Sequence, residues 1–383
     1  MGRKKIVILG ATGSIGGNTV KVAAHLADEI EVVGLAARNN LNELARQVEL
    51  LRCPHAVTSN ADALDQLRRL LPPYCTAAAG DEAMIELVTR PEVDMVLCAI
   101  VGTGGLAPVL AAIRAGKDIA IASKEILVMA GEIVMAEAAK YGVRLMPVDS
   151  EHSAIFQCIE GRRPENVHRL ILTASGGPFR GSTREKLEHV TCEMALKHPT
   201  WSMGTKVTLD SASMMNKALE IIEAKWLFNI DAERIDVVIH PQSVIHSMVE
   251  FIDGTILAQM STPDMRFPIQ YALTWPHKRP GGVEAFDFRK YAQITFELPD
   301  RQVFPALDFA YAALRQGGTL PAVMNAANEA AVELFCRNKI KFTDIWRIID
   351  KTMSAHIIIK HPSLEEILAA DCWARDFAGR INP

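Results

Sequence analysis

The chain has 383 residues, which is too long for a single hydrophobic core and predicts two or three domains. Apolar residues make up 49% and charged residues 22%, the balance of an ordinary globular protein in water. The net charge of −4 gives no basic footprint for nucleic acid, and no apolar run approaches the roughly 18 residues of a membrane-spanning helix, so neither partner is expected.

The chain begins with MGRKKIVILGATG, in which basic residues precede an apolar stretch, as in a signal peptide. That stretch is too short and leads directly into a glycine turn, so a first buried strand is the better interpretation. Ile6 stands where a myristoylation motif requires Ser or Thr. The seven cysteines are scattered without a C-x-x-C pair, which is typical of reduced thiols and not of a disulfide framework or a zinc site. We therefore expect a cytoplasmic protein.

Residues 4–147 alternate short apolar runs with longer helical patterns. The runs are KIVILG, EVVGLAA, HAVTS, VDMVLCAI, KDIAIA and VRLMPV, and segments such as NELARQVELLR and GLAPVLAAIRAG lie between them. This repeated βαβ pattern predicts a doubly wound, Rossmann-like parallel sheet over residues 1–148. The ligands of such sheets bind at the carboxyl ends of the strands.

From residue 149 to about residue 275 the pattern changes. The strand-like runs RLILTAS, DVVIH, VIHSMVEF and TILAQMS accompany one amphipathic helix near residues 210–228, which predicts an α+β domain. Residues 276–303 are rich in Pro and Gly at their start and are predicted to form a linker. Residues 304–383 keep helical periodicity and predict a C-terminal helical bundle.

A glycine turn follows the first predicted strand in ILGATGSIGGNTVKVA. Gly10, Gly13 and Gly16 differ in spacing from the G-x-G-x-x-G fingerprint, but they allow backbone N–H groups to approach a pyrophosphate at a helix N-terminus in the same way. After the second strand, where an NAD site would have an acid, the chain has Arg38, which favours NADPH over NADH. The alternative is a glycine turn that binds nothing, with Arg38 as a solvated loop arginine.

Three carboxylates indicate a metal site. Asp149 and Glu151 follow a probable strand, on which residues i and i+2 point the same way, and converging carboxylates repel unless they share a proton or a cation. Asn216, Lys217 and Glu220 fall within about 100° of one another on the predicted helix. Glu220 would complete an all-oxygen site for Mg²⁺ or Mn²⁺, beside phosphate donors from Lys217 and Asn216. The alternatives are a solvated loop and a solvated helix face.

Other polar positions occur in settings that suit a ligand. In LTASGGPFR a strand ends in Ser175 and two glycines, a turn that offers N–H groups and a hydroxyl to an oxyanion or a phosphate. HPTWSMGTK is a loop with His198, Trp201 and Gly204, as a lid requires. ASKE places Lys124 at the end of a probable parallel strand, on the ligand-binding edge of the sheet, unless it is an ordinary lysine at a helix N-terminus.

Six motifs together resemble the 1-deoxy-D-xylulose 5-phosphate reductoisomerase family: GATGSIG, ASKE, PVDSEHSA, SGGPF, HPTWSMGTKVTLDSASMMNKALE and HPQSVIHSMVEF. The resemblance runs from residue 4 to the C-terminal helices, and the stretch from HPTW to ALE is highly specific. It implies a homodimer with an NADPH domain at 1–148, a catalytic and dimerising domain at 149–275 and a helical domain at 304–383.

The resemblance also implies the reaction, a step of the non-mevalonate route to isoprenoid precursors. In that family a divalent metal, Mg²⁺ or Mn²⁺ with Co²⁺ as a further option, would chelate the carbonyl and hydroxyl oxygens of 1-deoxy-D-xylulose 5-phosphate during a retro-aldol cleavage. The fragments recombine, and NADPH reduces the branched aldehyde to 2-C-methyl-D-erythritol 4-phosphate. Phosphonate–hydroxamate inhibitors are expected to chelate the same metal.

The family's functional residues can be transferred position by position. The metal ligands fall on Asp149, Glu151 and Glu220. The substrate contacts fall on Ser150, Glu151, Ser175, His198, Trp201, Met203, Ser211, Asn216, Lys217 and Glu220. The cofactor contacts fall on Thr12, Gly13, Ser14, Ile15, Ala37, Arg38, Asn39, Ser123, Glu125 and Gly204. Lys124, Glu151 and His198 are the expected catalytic residues.

Two motifs depart from the family's pattern. The usual Gly-Lys-Asn after the second strand is matched by Ala37, Arg38 and Asn39, and the usual Asn before the active-site lysine is matched by Ser123. Arginine keeps a cation for the 2′-phosphate of NADPH. Serine in place of asparagine weakens the expectation of one cofactor hydrogen bond.

Three other functions are compatible with the glycine turn. An acylating semialdehyde dehydrogenase needs a cysteine nucleophile with a partner histidine, and neither Cys158 nor Cys192 is in such a setting. A homoserine dehydrogenase would have no use for three metal-type acids. A redox-sensing NADP(H)-binding regulator that lacks catalysis could keep the glycine turn, but it would not need Asp149, Glu151 and Glu220 together.

Overall fold

A computed structural model describes residues 2–201 and 203–381 of the chain. Its strands are β1 Lys4–Leu9, β2 Ile30–Ala37, β3 His55–Thr58, β4 Thr76–Ala79, β5 Met95–Cys98, β6 Asp118–Ile121, β7 Leu145–Pro147, β8 Val167–Ala174, β9 Ile235–Ile239, β10 Ile245–Phe251 and β11 Ile256–Met260.

The α-helices alternate with these strands in the first part of the chain and dominate its end. They are α1 Ser14–His25, α2 Leu41–Leu51, α3 Leu64–Leu70, α4 Asp81–Thr89, α5 Leu106–Arg114, α6 Lys124–Tyr141, α7 Ser150–Ile159, α8 Arg184–Leu187, α9 Cys192–Ala195, α10 Thr205–Ala212, α11 Met215–Phe228, α12 Arg266–Thr274, α13 Ala306–Gln316, α14 Leu320–Cys336, α15 Asp344–Ala355 and α16 Leu364–Arg380.

The chain divides into two compact units. Unit 1 contains residues 1–126, 134–153 and 264–284, and unit 2 contains residues 127–133, 154–263 and 285–383. The predicted boundaries at 148, 275 and 303 remain a prediction. Within the described residues, no helix combines the length and the apolar character that a membrane crossing requires.

Unit 1 is built on a seven-stranded parallel sheet in the order β4-β3-β2-β1-β5-β6-β7. Residues 6–9 of the central strand β1 are completely buried, as expected of a parallel strand covered by helices on both faces. The chain moves outward from β1 through β2 to β4 and then returns to β5 on the other side of β1. The ends of β1 and β5 are therefore the switch point at which doubly wound sheets bind ligands.

Unit 2 combines a four-stranded sheet in the order β11-β10-β8-β9 with a helical bundle. Strand β10 runs antiparallel to both β8 and β11, whereas β8 and β9 are parallel. Trp346 and Phe342 are completely or almost completely buried, and their rings lie 5.3 Å apart in an edge-to-face arrangement. The predicted fold class, a Rossmann-like sheet followed by an α+β region and a helical bundle, is confirmed.

The prediction of one continuous helix near residues 210–228 is wrong. The segment forms two helices, α10 and α11, because Met214 takes a left-handed conformation with φ +62° between them. The Trp346 indole donates a hydrogen bond to the Ser213 carbonyl at 3.1 Å, which satisfies a backbone group that the break leaves outside the helix ladder. The break places a new helix N-terminus directly before Asn216 and Lys217.

Candidate active site

The glycine turn after β1 depends on glycine at two positions for steric reasons. Gly10 has φ +81°, and a Cβ atom on it would lie 2.5 Å from the carbonyl oxygen of Ala99, which follows β5. A Cβ atom on Gly16 would overlap the Gly10 carbonyl. The two contacts pack the first turn of α1 tightly against the switch point of the sheet.

The N-terminus of α1 has the character of an anion site. Gly13 is the N-cap residue of α1, and no side chain from it accepts a hydrogen bond from the first turn. The first-turn N–H groups therefore keep their partial positive charge. Gly13 and Ser14 are exposed, and Thr12 and Ile15 are half-buried. All four predicted cofactor contacts in this turn thus surround one helix N-terminus.

The end of β2, which is adjacent to β1, presents the next predicted cofactor residues. Ala37 is buried, whereas Arg38 and Asn39 are exposed. The Thr58 hydroxyl donates to the Arg38 carbonyl at 2.9 Å, so the backbone is held while the guanidinium reaches solvent. Unit 1 thereby places an exposed cation and a helix N-terminus at the carboxyl ends of neighbouring strands.

The residues that follow β6 are buried at the same edge of the sheet. Ser123, Lys124 and Glu125 are 3–7% exposed. The Ser123 hydroxyl donates to the Ile100 carbonyl at 2.5 Å. Ser123, which stands where the family usually has asparagine, therefore links the end of β6 to the segment that follows β5.

Asp149 and Lys124 form an ion pair in unit 1. The Lys124 ammonium donates to Asp149 Oδ2 at 2.8 Å, and the two side chains are only 9% and 13% exposed. The expectation that a strand aligns Asp149 with Glu151 is wrong, because β7 ends at Pro147 and α7 begins at Ser150. Asp149 instead caps α7: its carbonyl accepts from the Ser153 N–H at 2.9 Å and its Oδ1 from the Glu151 N–H at 3.1 Å.

The sequence reasoning missed His152. This residue is completely buried, and its Nδ1 lies 3.4 Å from Asp149 Oδ1. The sequence contained a signal for it, because Asp149 and His152 are three residues apart and such residues lie on one face when a helix begins there. Glu151 is half-buried in the first turn of the same helix, and its carboxylate forms a short contact with the Ser150 hydroxyl.

In unit 2, the turn after β8 holds Ser175 close to His198. Ser175 Oγ lies 3.0 Å from His198 Nε2 and also accepts from the Gly177 N–H at 3.1 Å. Gly177 has φ +67°, and a Cβ atom on it would lie 2.7 Å from the Ser211 carbonyl. The structure therefore brings Ser175, His198 and Ser211 together around one glycine turn.

The loop after His198 is organised by that imidazole. His198 Nδ1 accepts from the backbone N–H groups of Thr200 and Trp201, at 3.1 and 2.9 Å. Trp201 is half-buried, with its ring centroid 6.1 Å from that of His246. Met203 is half-buried, whereas Gly204 is exposed with φ −64°, a conformation that does not require glycine.

The polar sector of α11 is buried, so the alternative of a solvated helix face is wrong. Lys217 and Glu220 are 4% and 1% exposed. Asn216 Nδ2 donates to Glu220 Oε1 at 2.5 Å, and Lys217 makes a short ion pair with Glu220 Oε2. Burying charged groups is costly unless they are paired or bind a ligand, and the ion pair between Lys217 and Glu220 meets this requirement within unit 2.

Models of one protein family match most of the chain. A model described as 1-deoxy-D-xylulose 5-phosphate reductoisomerase matches residues 6–131, and the model of its C-terminal domain matches residues 145–228. A third model, described as the DXP reductoisomerase C-terminal domain, matches residues 260–377. The chain belongs to the 1-deoxy-D-xylulose 5-phosphate reductoisomerase family.

Relatives agree with this assignment over the full length. The reductoisomerase of Chlorobium chlorochromatii is 51% identical over 381 residues, which cover 99% of this chain and all of the relative. The solved reductoisomerase of Zymomonas mobilis in complex with NADPH has a TM-score of 0.93 and 43% identity, with 98% of each chain covered. A reductoisomerase solved with NADPH, fosmidomycin and magnesium has a TM-score of 0.93 and 38% identity, and covers 98% of this chain and 97% of its own.

The family assignment decides between the functions that the sequence left open. The predictions of the family and of an NADP-dependent oxidoreductase are confirmed. Membership of the reductoisomerase family excludes the semialdehyde dehydrogenase, the homoserine dehydrogenase and the regulator without catalysis as interpretations of this chain. The roles of individual residues stay predictions.

Proposed function

We propose that the residues grouped above serve the reaction of the reductoisomerase family in this chain. The chain is an NADPH- and divalent-metal-dependent enzyme of the non-mevalonate isoprenoid pathway. It isomerises and reduces 1-deoxy-D-xylulose 5-phosphate to 2-C-methyl-D-erythritol 4-phosphate. The sugar phosphate is therefore its small-molecule partner, and phosphonate–hydroxamate compounds are its expected inhibitors.

For the metal we propose Asp149, Glu151 and Glu220 as ligands. All three offer carboxylate oxygens, the donor type that Mg²⁺ and Mn²⁺ prefer, and no thiolate competes in this set. The burial of Glu220 supports the assignment, because the attraction between a carboxylate and a cation is stronger away from water. When bound, the metal supplies Lewis-acid stabilisation of negative charge on the substrate's oxygens, and NADPH supplies the hydride.

Lys124 is proposed to act beside the reacting oxygens. Its ammonium is held at 2.8 Å from Asp149 Oδ2 and has little access to water, so its position is fixed before substrate arrives. In that place the ammonium can donate a hydrogen bond or a proton to a substrate oxygen. Glu151 has a half-buried carboxylate beside the Ser150 hydroxyl, which suits proton transfer or contact with a substrate hydroxyl.

We further propose that the substrate's phosphate binds to the turn after β8 and the start of α11. The hydroxyls of Ser175 and Ser211, the Asn216 amide and the Lys217 ammonium supply donors, and the first-turn N–H groups of α11 add their dipole. His198 would orient Ser175 through the 3.0 Å contact. Trp201 and Met203 would cover the carbon skeleton while its bond is open.

The cofactor is proposed to bind along the carboxyl edge of the parallel sheet. The first-turn N–H groups of α1 would hold the pyrophosphate beside Thr12, Gly13, Ser14 and Ile15. Arg38 would pair with the 2′-phosphate, with Ala37 and Asn39 on either side. Ser123, Glu125 and Gly204 remain predicted contacts of the nicotinamide end.

We also propose a homodimer in the cytoplasm. The edge strand β11 supports the dimer, because Ile256, Leu257 and Met260 are 36–49% exposed and Ile252 before it is 67% exposed. An uncovered apolar edge invites strand pairing, so a partner that covers it is favoured. The seven free cysteines suit a reducing compartment. A molar mass in solution of twice 42.0 kDa would support the dimer, and a monomer at micromolar concentration would contradict it.

The observation that carries the proposal is the family match together with the buried Lys124–Asp149 pair at the carboxyl edge of the sheet. The test follows NADPH absorbance with deoxyxylulose phosphate, with and without Mg²⁺ or Mn²⁺. We expect oxidation only when substrate and metal are both present, and inhibition by fosmidomycin. Oxidation that is insensitive to a chelator would contradict the metal dependence.

A further inference from the structure

Two cysteines that are far apart in the sequence meet in unit 2. Cys192, the first residue of α9, and Cys336, the last residue of α14, have their Sγ atoms 3.6 Å apart, and 144 residues separate them along the chain. Both thiols are half-buried. From the sequence alone the cysteines were predicted only to be scattered and reduced.

The surrounding packing holds the two thiols face to face. Leu187, Val190 and Ala195, which flank Cys192, belong to the same buried cluster as Phe335 and Phe342, which flank Cys336. The contact is thus a property of two packed segments and does not depend on one flexible side chain.

We infer that Cys192 and Cys336 form a site of reversible disulfide formation. A disulfide requires an S–S distance of about 2.0 Å, so the sulfur atoms must approach by roughly 1.6 Å, which side-chain rotation and small backbone shifts can provide. The oxidant is hydrogen peroxide, which comes from outside because the enzyme's own reaction supplies no peroxide. Disulfides in a reducing compartment are usually transient, and this bond would form under oxidative conditions and be reversed by dithiols.

The reaction has two balanced steps. The thiolate of one of the two cysteines attacks one peroxide oxygen, the O–O bond breaks, and the products are a sulfenic acid and hydroxide, or water after protonation. The thiol sulfur of the other cysteine then attacks the oxidised sulfur, the S–OH bond breaks, and the thiol proton leaves with the hydroxyl as water. The net change is two thiols and one peroxide converted into one disulfide and two waters.

The environment of Cys336 favours the thiol form of its sulfur. Burial raises the pKa of Cys336 to about 11, with a further increase from the neighbouring Cys192, so Cys336 is a thiol at neutral pH. The disulfide depends on the 3.6 Å proximity of the two sulfur atoms, and either cysteine can be the first to be oxidised.

The bond would join the segment before His198 to the C-terminal bundle. Cys192 precedes His198 by six residues, and α14 packs against α15 and α16. Closing a loop of this length restricts the unfolded chain strongly, so the oxidised form should melt at a higher temperature than the reduced form. This inference is independent of the proposed catalytic residues.

The test uses the purified full-length protein, treated with hydrogen peroxide, alkylated without reduction and digested with trypsin. Before alkylation and digestion, we expect the intact mass of the oxidised chain to be about 2 Da lower for each disulfide. The decisive product is a linked pair of peptides, residues 187–197 and 316–337, each of which contains one cysteine. Dithiothreitol should restore both free peptides, and the melting temperature should rise on oxidation and fall on reduction.

Three variants make the result specific. Cys336→Ser and Cys192→Ser should each abolish the linked pair and the rise in melting temperature. Cys372→Ser, which removes an exposed thiol elsewhere in the bundle, should leave both unchanged. The inference is overturned if peroxide modifies Cys372 while Cys192 and Cys336 stay fully alkylatable. It is also overturned if either Cys192 or Cys336 proceeds to the sulfinic acid without a linked peptide, or if the linked pair is found only between two chains on a non-reducing gel.

Discussion

His198 Nε2 lies 3.0 Å from Ser175 Oγ, while the opposite ring nitrogen accepts from the backbone N–H groups of Thr200 and Trp201. Because Nδ1 is an acceptor, the ring carries its proton on Nε2 and donates it to Ser175. One neutral imidazole therefore fixes both a predicted phosphate-binding hydroxyl and the start of the predicted lid.

The first prediction is a pH dependence of this loop. Burial lowers the pKa of His198 from its usual 6.5, and a second proton would displace both backbone N–H groups from Nδ1. The folded pKa is below the unfolded one, so the neutral ring's contribution to stability is present above about pH 6.5 and is lost as the pH falls toward the folded pKa. Tryptophan fluorescence should change with a midpoint below 6.5, and His198→Gln should lack that midpoint. A midpoint retained in the variant contradicts the assignment.

The second prediction concerns the proposed metal ligands. Asp149→Asn and Glu220→Gln should each lower turnover by about 100-fold or more, because several kcal/mol of charge stabilisation depend on anionic ligands. Circular dichroism should show that both variants remain folded, although Glu220→Gln should melt earlier because it weakens a buried pair with Lys217.

Matched controls separate this effect from a general loss of charge. Asp65→Asn and Glu193→Gln remove carboxylates that are 80% and 82% exposed, and should leave turnover unchanged. Near-normal activity of Asp149→Asn or Glu220→Gln at low Mg²⁺ would show that the assignment of the ligands is wrong.

The third prediction concerns cofactor choice. Arg38→Ala should raise the KM for NADPH about tenfold, which corresponds to about 1.4 kcal/mol, because an exposed ion pair is weakened by solvent. The KM for NADH should change little, since NADH lacks the 2′-phosphate. Arg69→Ala, at another exposed arginine of unit 1, is the control and should affect neither cofactor. Equal effects of Arg38→Ala on both cofactors would exclude contact with the 2′-phosphate.

The fourth prediction concerns the predicted lid. Trp201→Ala should lower turnover and weaken fosmidomycin binding while the melting temperature barely changes, because the ring is only half-buried. Trp201→Phe should lower turnover and fosmidomycin binding less than Trp201→Ala does, since phenylalanine keeps an aromatic surface. Limited proteolysis between residues 198 and 206 of the unchanged enzyme should slow when NADPH and fosmidomycin are added. Cleavage at the same rate with and without them would argue that Trp201 only packs.

The fifth prediction compares two adjacent glycines of α1. Gly16→Ala would place a methyl group against the Gly10 carbonyl and the Ala11 backbone, so we expect a loss of about 1–3 kcal/mol in unfolding free energy and much weaker NADPH binding. At Gly17 a Cβ atom would meet nothing within 4 Å, so Gly17→Ala should be neutral or slightly stabilising. Thermal melting and fluorescence titration with NADPH measure both effects. If the two variants had the same melting temperature and the same affinity for NADPH, close packing at Gly16 would not be the reason for the glycine.

Local patterns in the sequence were sufficient for most of the strands and for the glycine turn. Each predicted run corresponds to a strand. In the parallel sheet of unit 1 the reason is that a strand covered on both faces requires a continuous apolar segment, which is visible in the sequence. Strand β4 was missed, since Thr76–Ala79 consists of one threonine and three alanines and lies at the sheet edge, where pairing with β3 compensates for a weak strand preference. The start of α7 was also encoded locally, in the capping carboxylate of Asp149.

Other features were decided only by the tertiary structure. The sequence contained Lys217 and Glu220, but their burial depends on the break at Met214 and on the packing of α11 within unit 2. Helix α12 follows β11 in the chain, yet it packs against α1 of unit 1. The meeting of Cys192 with Cys336 likewise depends on two segments 144 residues apart. Periodicity shows which face of an element is apolar, whereas the partner of that face is chosen by the complementary shape and polarity of distant segments, which no local pattern contains.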